Sequence, residues 1–301
     1  MLTKNKATIT WIGLILAISL LSIIIILLTG NTTKPITKTV PAPTTTSSKS
    51  IDELNTEAKM WFDQGDYAQA IAIYEQIMDR QPNDVGPILD LAHTYRYWGR
   101  HKESEQFFLK ALEIDDTDAW VYTDLGKLYR NMNQYEKAEA TFKKSLSLDP
   151  NMSYTYSYGL GYLYLDQDRY SEAEEMFLKA LEIDPDSEMA TAGLGDLYRE
   201  MRRYDESEAM FKKVFTINPN SESWYGLCWL YLYQERYADA VVACQNYLTK
   251  IREKAEVYNA LAIAYKEQGD IPNAITSFSR AAELNPTNTN YINSLNQLID
   301  N

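Results

Sequence analysis

The sequence predicts an all-α protein: a solenoid of seven antiparallel helix pairs with a C-terminal capping helix, preceded by a transmembrane helix and a disordered linker. Three observations predict it. Units of 33–35 residues recur from Ile51 to Asn288. Within each unit, apolar residues fall at helical spacing on two segments joined by a polar turn. Ahead of the units, Ile9–Leu28 is an apolar run of 20 residues without a charged side chain.

The chain starts with a short tail, residues 1–8, carrying Lys4 and Lys6. As a helix, the run at 9–28 would be about 30 Å long, the thickness of a bilayer's hydrocarbon layer. It is apolar on every side, unlike a soluble helix. A cleaved signal fits less well, because the run exceeds a usual h-region and no small-x-small pattern closes it. Lys34 and Lys38 follow the run, so the lysine bias across it is slight. The short tail places the N-terminus in the cytoplasm and the repeats outside it, in a single-pass arrangement. Residues 29–50 are rich in Thr, Ser and Pro and read as a linker that holds the repeats off the membrane.

Charge narrows the function classes. Residues 1–50 hold five lysines and no acid, leaving 24 basic against 42 acidic side chains beyond them, a net of −18. So acidic a body repels phosphate backbones, which argues against a nucleic-acid partner. His93 and His101 are the only histidines and form neither a metal set nor a triad. Gly159-x-Gly161 and Gly193-x-Gly195 lack a third glycine and fall mid-helix, where they read as packing residues. No arrangement carries catalysis, so neither enzyme activity, cofactor nor metal is expected.

The units share one pattern. YEKAEATFKKSLSLDP begins at Tyr135, YSEAEEMFLKALEIDP at Tyr170 and YDESEAMFKKVFTINP at Tyr204. Seven units start near Ile51, Val85, Ala119, Tyr154, Glu188, Ser221 and Ala255. First helices carry Leu125, Gly126 and Tyr129, or Leu194, Gly195 and Tyr198. Turns follow at Gly65-Asp66, Gly99-Arg100 and Gly269-Asp270. Second helices carry a small residue and a ring four places on, as in Ala138/Phe142, Ala173/Phe177 and Ser207/Phe211. Proline ends most of them. Small residues let the backbones approach, the rings fill the flanks, and stacked pairs bury what one pair cannot. Tyr291, Ile292, Leu295, Leu298 and Ile299 then make one apolar stripe on a capping helix at 289–301.

This pattern resembles the tetratricopeptide repeat family over residues 51–288. The resemblance implies a right-handed superhelix whose first helices line a concave groove. In that frame the groove presents His93, Arg96 and Tyr97; Lys127 and Arg130; Tyr158 and Tyr162; Arg199; Tyr225, Trp229 and Tyr233; and Lys266. Aromatic and arginine side chains dominate binding hot spots. The rings would hold apolar side chains of a protein or peptide partner, and the basic residues its carboxylates. The family's carboxylate clamp is not matched, because Asp90 stands where it needs an amide. The implied function is a membrane-anchored protein–protein interaction scaffold or adaptor. A chaperone-like assembly factor for secretion or envelope machinery, and a structural homo-oligomer, are the alternatives.

Unit six departs from the pattern. Cys244 replaces the ring, Tyr247 a small residue and Arg252 the proline, which predicts a second helix that runs on or bends. Cys228 and Cys244 fall at the same level on the two helices of that unit. They pair if the domain is exported and stay buried thiols otherwise.

Overall fold

A computed structural model of the chain describes residues 49–299. The tail, the transmembrane helix expected at 9–28 and nearly all of the expected linker lie outside the described residues. Among those described, no strand forms, and no helix is long and apolar enough to cross a membrane.

The helix pairs follow in chain order. They are α1 (Ile51–Asp63) with α2 (Tyr67–Arg80), α3 (Val85–Tyr97) with α4 (His101–Ile114), and α5 (Ala119–Asn131) with α6 (Tyr135–Leu148). In unit four a π-helical segment, Thr155–Gly161, runs into the single turn α7 (Tyr162–Leu165) and pairs with α8 (Tyr170–Ile183). Then come α9 (Glu188–Glu200) with α10 (Tyr204–Ile217), α11 (Ser223–Tyr233) with α12 (Tyr237–Lys250), and α13 (Ala255–Glu267) with α14 (Ile271–Leu284). The last helix is α15 (Thr289–Ile299). From unit three to unit seven, first helices pack on the first helices of their neighbours, and no second helix packs comparably on the next. First helices therefore line the inner side of the curve.

Local chemistry sets these boundaries. Ser50 and Glu53 form a reciprocal capping box on α1, and Asp66, Asp84, Asp118, Ser187 and Asp270 cap other helices. Every turn inside a pair passes through one left-handed residue. It is glycine at Gly65, Gly99 and Gly269, and an L-residue at Asn133, Asp168, Arg202 and Glu235. The glycine turns were readable in the sequence, and the other four units adopt the same geometry without glycine.

The core repeats a single contact. Phe142, Phe177 and Phe211 are essentially fully buried. Each ring sits between a glycine of its own pair and one of the next: Gly126 and Gly159, Gly161 and Gly193, Gly195 and Gly226. A Cβ at Gly193 would lie 2.1 Å from Phe177 Cε1, so only glycine fits. In unit six, Cys228 takes the glycine's place and Cys244 the ring's, and the two are disulfide-bonded with Cα atoms 5.1 Å apart. Tyr247, one turn further on, is fully buried and packs against Tyr225. The expected run-on of the second helix does not occur: α12 has 14 residues, like α10 and α14, and ends at Lys250. The cap also differs in part. Tyr291 is buried against Ala255 and Ala281, but Ile292 and Ile299 are 37% and 59% exposed, so the predicted stripe is narrower.

A polar staple joins the units and accounts for many of the 23 tyrosines. A tyrosine of one first helix donates its hydroxyl to a glutamate of the preceding second helix: Tyr129 to Glu105, Tyr164 to Glu139, Tyr198 to Glu174 and Tyr231 to Glu208, at 2.7–3.0 Å. Arg169, Arg203 and Arg236, each just before a second helix, lie over those rings at 4.1–4.3 Å and pair with the same glutamates. Burial pushes the Glu139 carboxyl up, but hydrogen bonds from Lys143, Arg169 and Tyr164 outweigh it and bring it down to about 2. Glu208 is held at about 2 in the same way by Lys212, Arg236 and Tyr231. A carboxylate depressed on folding stabilises the fold above its ordinary value, 4.5, and loses that contribution as pH falls toward about 2. The variant Glu139→Gln/Glu208→Gln is therefore expected to be less stable than wild type at pH 7. The gap should close between pH 4.5 and 2 in urea titrations followed by circular dichroism. A gap that does not change with pH would remove the staples from acid stability.

Candidate functional site

The inner face is built by α3, α5, the π-helical segment with α7, α9, α11 and α13. Its form in unit four follows from one extra residue. Spacing between equivalent second-helix starts is 34 residues from Tyr67 to His101 and from His101 to Tyr135, but 35 from Tyr135 to Tyr170. The additional residue is taken up as the wider π turn. In the frame of the preceding units, Tyr158 occupies the place of Asp90 and Asp124, both half-buried on the inner face. Past the π turn, Leu160 and Gly161 return to the frame of Leu125 and Gly126. The insertion thus aims Tyr158 into the groove and leaves the helix-pair contact intact.

Two rows of rings result. Trp120, Tyr154, Tyr158 and Tyr162 follow one another at centroid distances of 5.9, 5.2 and 6.0 Å. Lys127 stands over Tyr154 and Tyr158, at 5.3 and 5.4 Å, and Arg130 is 5.5 Å from both Tyr158 and Tyr162. The second row is Tyr225, Trp229 and Tyr233, at 6.4 and 6.2 Å, with Lys254 over Tyr225 at 4.2 Å. Tyr233 is 59% exposed. Between the rows, units four to six enclose a cavity of about 710 Å³ lined by Tyr162, Met189, Asp196, Arg199, Phe211 and Tyr225, among others.

Eight of the twelve residues expected in the groove stand in these rows, over them or in the cavity wall, and His93, Arg96, Tyr97 and Lys266 do not. His93 Nε2 lies 3.4 Å from Asp124 Oδ2, and burial lowers its imidazole against the pull of that carboxylate. Arg96 lies over the Tyr97 ring at 4.7 Å. Tyr97 itself is 58% exposed and turns edge-on to Phe62 of unit one. Lys266 stands apart in unit seven, its ammonium 3.6 Å from Glu267.

One expectation is corrected. Lys127, Arg130 and Arg199, expected to seat a partner's carboxylates, already hold carboxylates of this chain, whereas Arg96 stacks on Tyr97. Lys127 donates to Asp124 at 2.9 Å, Arg130 to Asp166 at 2.6 Å and Arg199 to Asp196 at 2.8 Å. Asp124 and Asp196 stand three residues before their partners on the same helix, a spacing visible in the sequence. Asp166 comes from the next unit and carries no local signal. Burial raises the Asp196 carboxyl above its ordinary value although Arg199 and the Tyr162 hydroxyl oppose it.

Sequence profiles of the tetratricopeptide repeat match residues 58–84, 88–151, 123–188, 164–228 and 255–288, across the units described above. The chain belongs to the tetratricopeptide repeat family. Its architecture is shared by solved structures. A tetratricopeptide repeat protein from Parabacteroides merdae is 22% identical, with 84% of this chain and 100% of that one covered and a TM-score of 0.64. PilW, a type IV pilus biogenesis factor, is 18% identical over 71% of this chain and 98% of its own, with a TM-score of 0.61. PilF of Pseudomonas aeruginosa is 20% identical over 71% and 97%, with a TM-score of 0.57. No curated protein matches the sequence. Tetratricopeptide repeat proteins are, as a family, protein–protein interaction scaffolds rather than catalysts.

Proposed function

We propose that the solenoid is a scaffold or adaptor that captures an extended segment of a protein partner along the inner face of units three to six. The observation that carries this reading is the pair of aromatic rows flanking a 710 Å³ cavity. Rings supply large contact area at low entropic cost, and exposed ones such as Tyr233 are unpaid for by the fold. Residues 9–28 anchor the scaffold in the membrane and the repeats stand outside the cytoplasm. The Cys228–Cys244 bond supports that side, since disulfides persist in oxidising compartments. Protease accessibility of a tag at Asn301 on intact cells tests the placement, and protection from outside protease would overturn it.

The groove is tested with pooled random nonapeptides, recovered on immobilised full-length protein and quantified by mass spectrometry. The variant Tyr158→Ala/Tyr233→Ala is expected to retain at least about tenfold less peptide at an unchanged melting temperature, the loss of two hot-spot rings. Equal retention would place binding elsewhere.

A further inference from the structure

The cavity between the aromatic rows is short of positive charge. Asp166, Glu188, Asp196 and Glu222 line it, and Arg199 is the one cation of the lining. Arg130 pairs with Asp166 and Arg252 with Glu222, each at the edge of the cavity and each on one carboxylate oxygen. Arg199 pairs with Asp196. Glu188 forms no ion pair among the described residues. Asn218 Nδ2 donates to its Oε2 at 2.8 Å, which orients the carboxylate without neutralising it. Four anions therefore meet three cations, in a recess whose remaining walls are apolar and aromatic apart from Ser221 and Ser223.

We propose that this cavity takes a basic side chain, lysine or arginine, of the peptide segment bound in the groove. The inference rests on the groove reading and adds the chemistry of the central contact. The alkyl stem of a lysine or arginine fits against Met189 and the Tyr162 and Tyr225 rings, and its cationic head meets the uncompensated Glu188. A partner's carboxylate in the same place would join four others. An aliphatic side chain would take water from Glu188 and return no hydrogen bond. The sequence alone suggested the opposite, because a face assignment counts cations without weighing the acids beside them.

The test uses the full-length protein and four nonapeptide pools whose central residue is fixed as Arg, Lys, Ala or Glu. Wild type is expected to retain the Arg and Lys pools at least about tenfold over the Glu pool, the size of one charge-assisted contact. Glu188→Gln keeps the shape and should lose most of that preference. Asp196→Asn removes one of the cavity's carboxylates and leaves Arg199 paired only with Glu200 at the surface, so it should weaken the preference for the Arg and Lys pools over the Glu pool. Melting curves confirm that both variants fold. Equal retention of the Arg and Ala pools by wild type, or a preference for Glu, overturns the proposal if Tyr158→Ala/Tyr233→Ala still reduces capture. Retention of every pool no better than by that aromatic variant overturns the groove reading and this inference with it.

Discussion

Replacing Phe177 with alanine is expected to cost about 3–5 kcal/mol of unfolding free energy, because a fully buried ring is lost from a cavity that cannot collapse. Helices of two units meet on that ring, so its removal weakens the contact within unit four and the contact between units four and five. Gly193→Ala attacks the same site from the other side. Its Cβ would fall 2.1 Å from the ring, inside any tolerated contact. A penalty of about 1–3 kcal/mol is expected from overpacking, net of what alanine returns in helix propensity. The decisive measurement is the double-mutant cycle. With Phe177 already alanine, the Gly193 site has room, and Gly193→Ala should then be neutral or stabilising. Urea unfolding followed by circular dichroism reads all four corners. Additive penalties would show that the glycine serves something other than the ring.

Removing the Cys228–Cys244 bond is expected to cost up to about 3 kcal/mol, the loop-closure value for a separation near 16 residues. The loss should be local. The bond stands where units three to five have a glycine and a phenylalanine, so unit six lacks the ring that holds those pairs. Under dithiothreitol, or in Cys228→Ser/Cys244→Ser, proteolysis should begin in α11 and α12 while units one to four stay intact. The groove should respond as well, since Tyr225 and Trp229 lie on α11 and Tyr225 packs on Tyr247 at 6.1 Å. The combination Cys228→Gly/Cys244→Phe/Tyr247→Ala rebuilds the contact of the other units and should recover stability without a redox requirement. Melting temperatures that do not change on reduction would show that the bond adds nothing to a helix pair already held by its neighbours.

The architecture was legible because it is written locally and repeatedly. Five of the seven units begin at the residue their pattern marks: Ile51, Val85, Ala119, Glu188 and Ala255. The two that differ, units four and six, are those that follow a 35- and a 33-residue spacing. The aromatic side of the groove was legible for the same reason, since a repeat frame assigns a face to each position. Interactions between frames were not. Tyr129 and Glu105 are 24 residues apart, and Arg130 and Asp166 are 36 apart. No periodicity marks which glutamate a given tyrosine will meet. Asp124 and Asp196 stand three residues before Lys127 and Arg199 in the sequence, but only the fold shows that Arg130 is engaged by Asp166.

The π turn of unit four has a consequence for how such a chain can change. One residue is added in unit four, and one is missing before α11, where the spacing from Tyr204 to Tyr237 is 33. The two offsets cancel, so Ile271 stands six full periods of 34 after Tyr67. Each length change is absorbed between one second helix and the next first-helix seat, and the Phe142, Phe177 and Phe211 seats keep their geometry. An insertion that would dislocate a globular core here only turns a side chain on the inner face. The solenoid can thus acquire new recognition by single-residue indels, a coarser and faster route than substitution, while its stacking stays in phase.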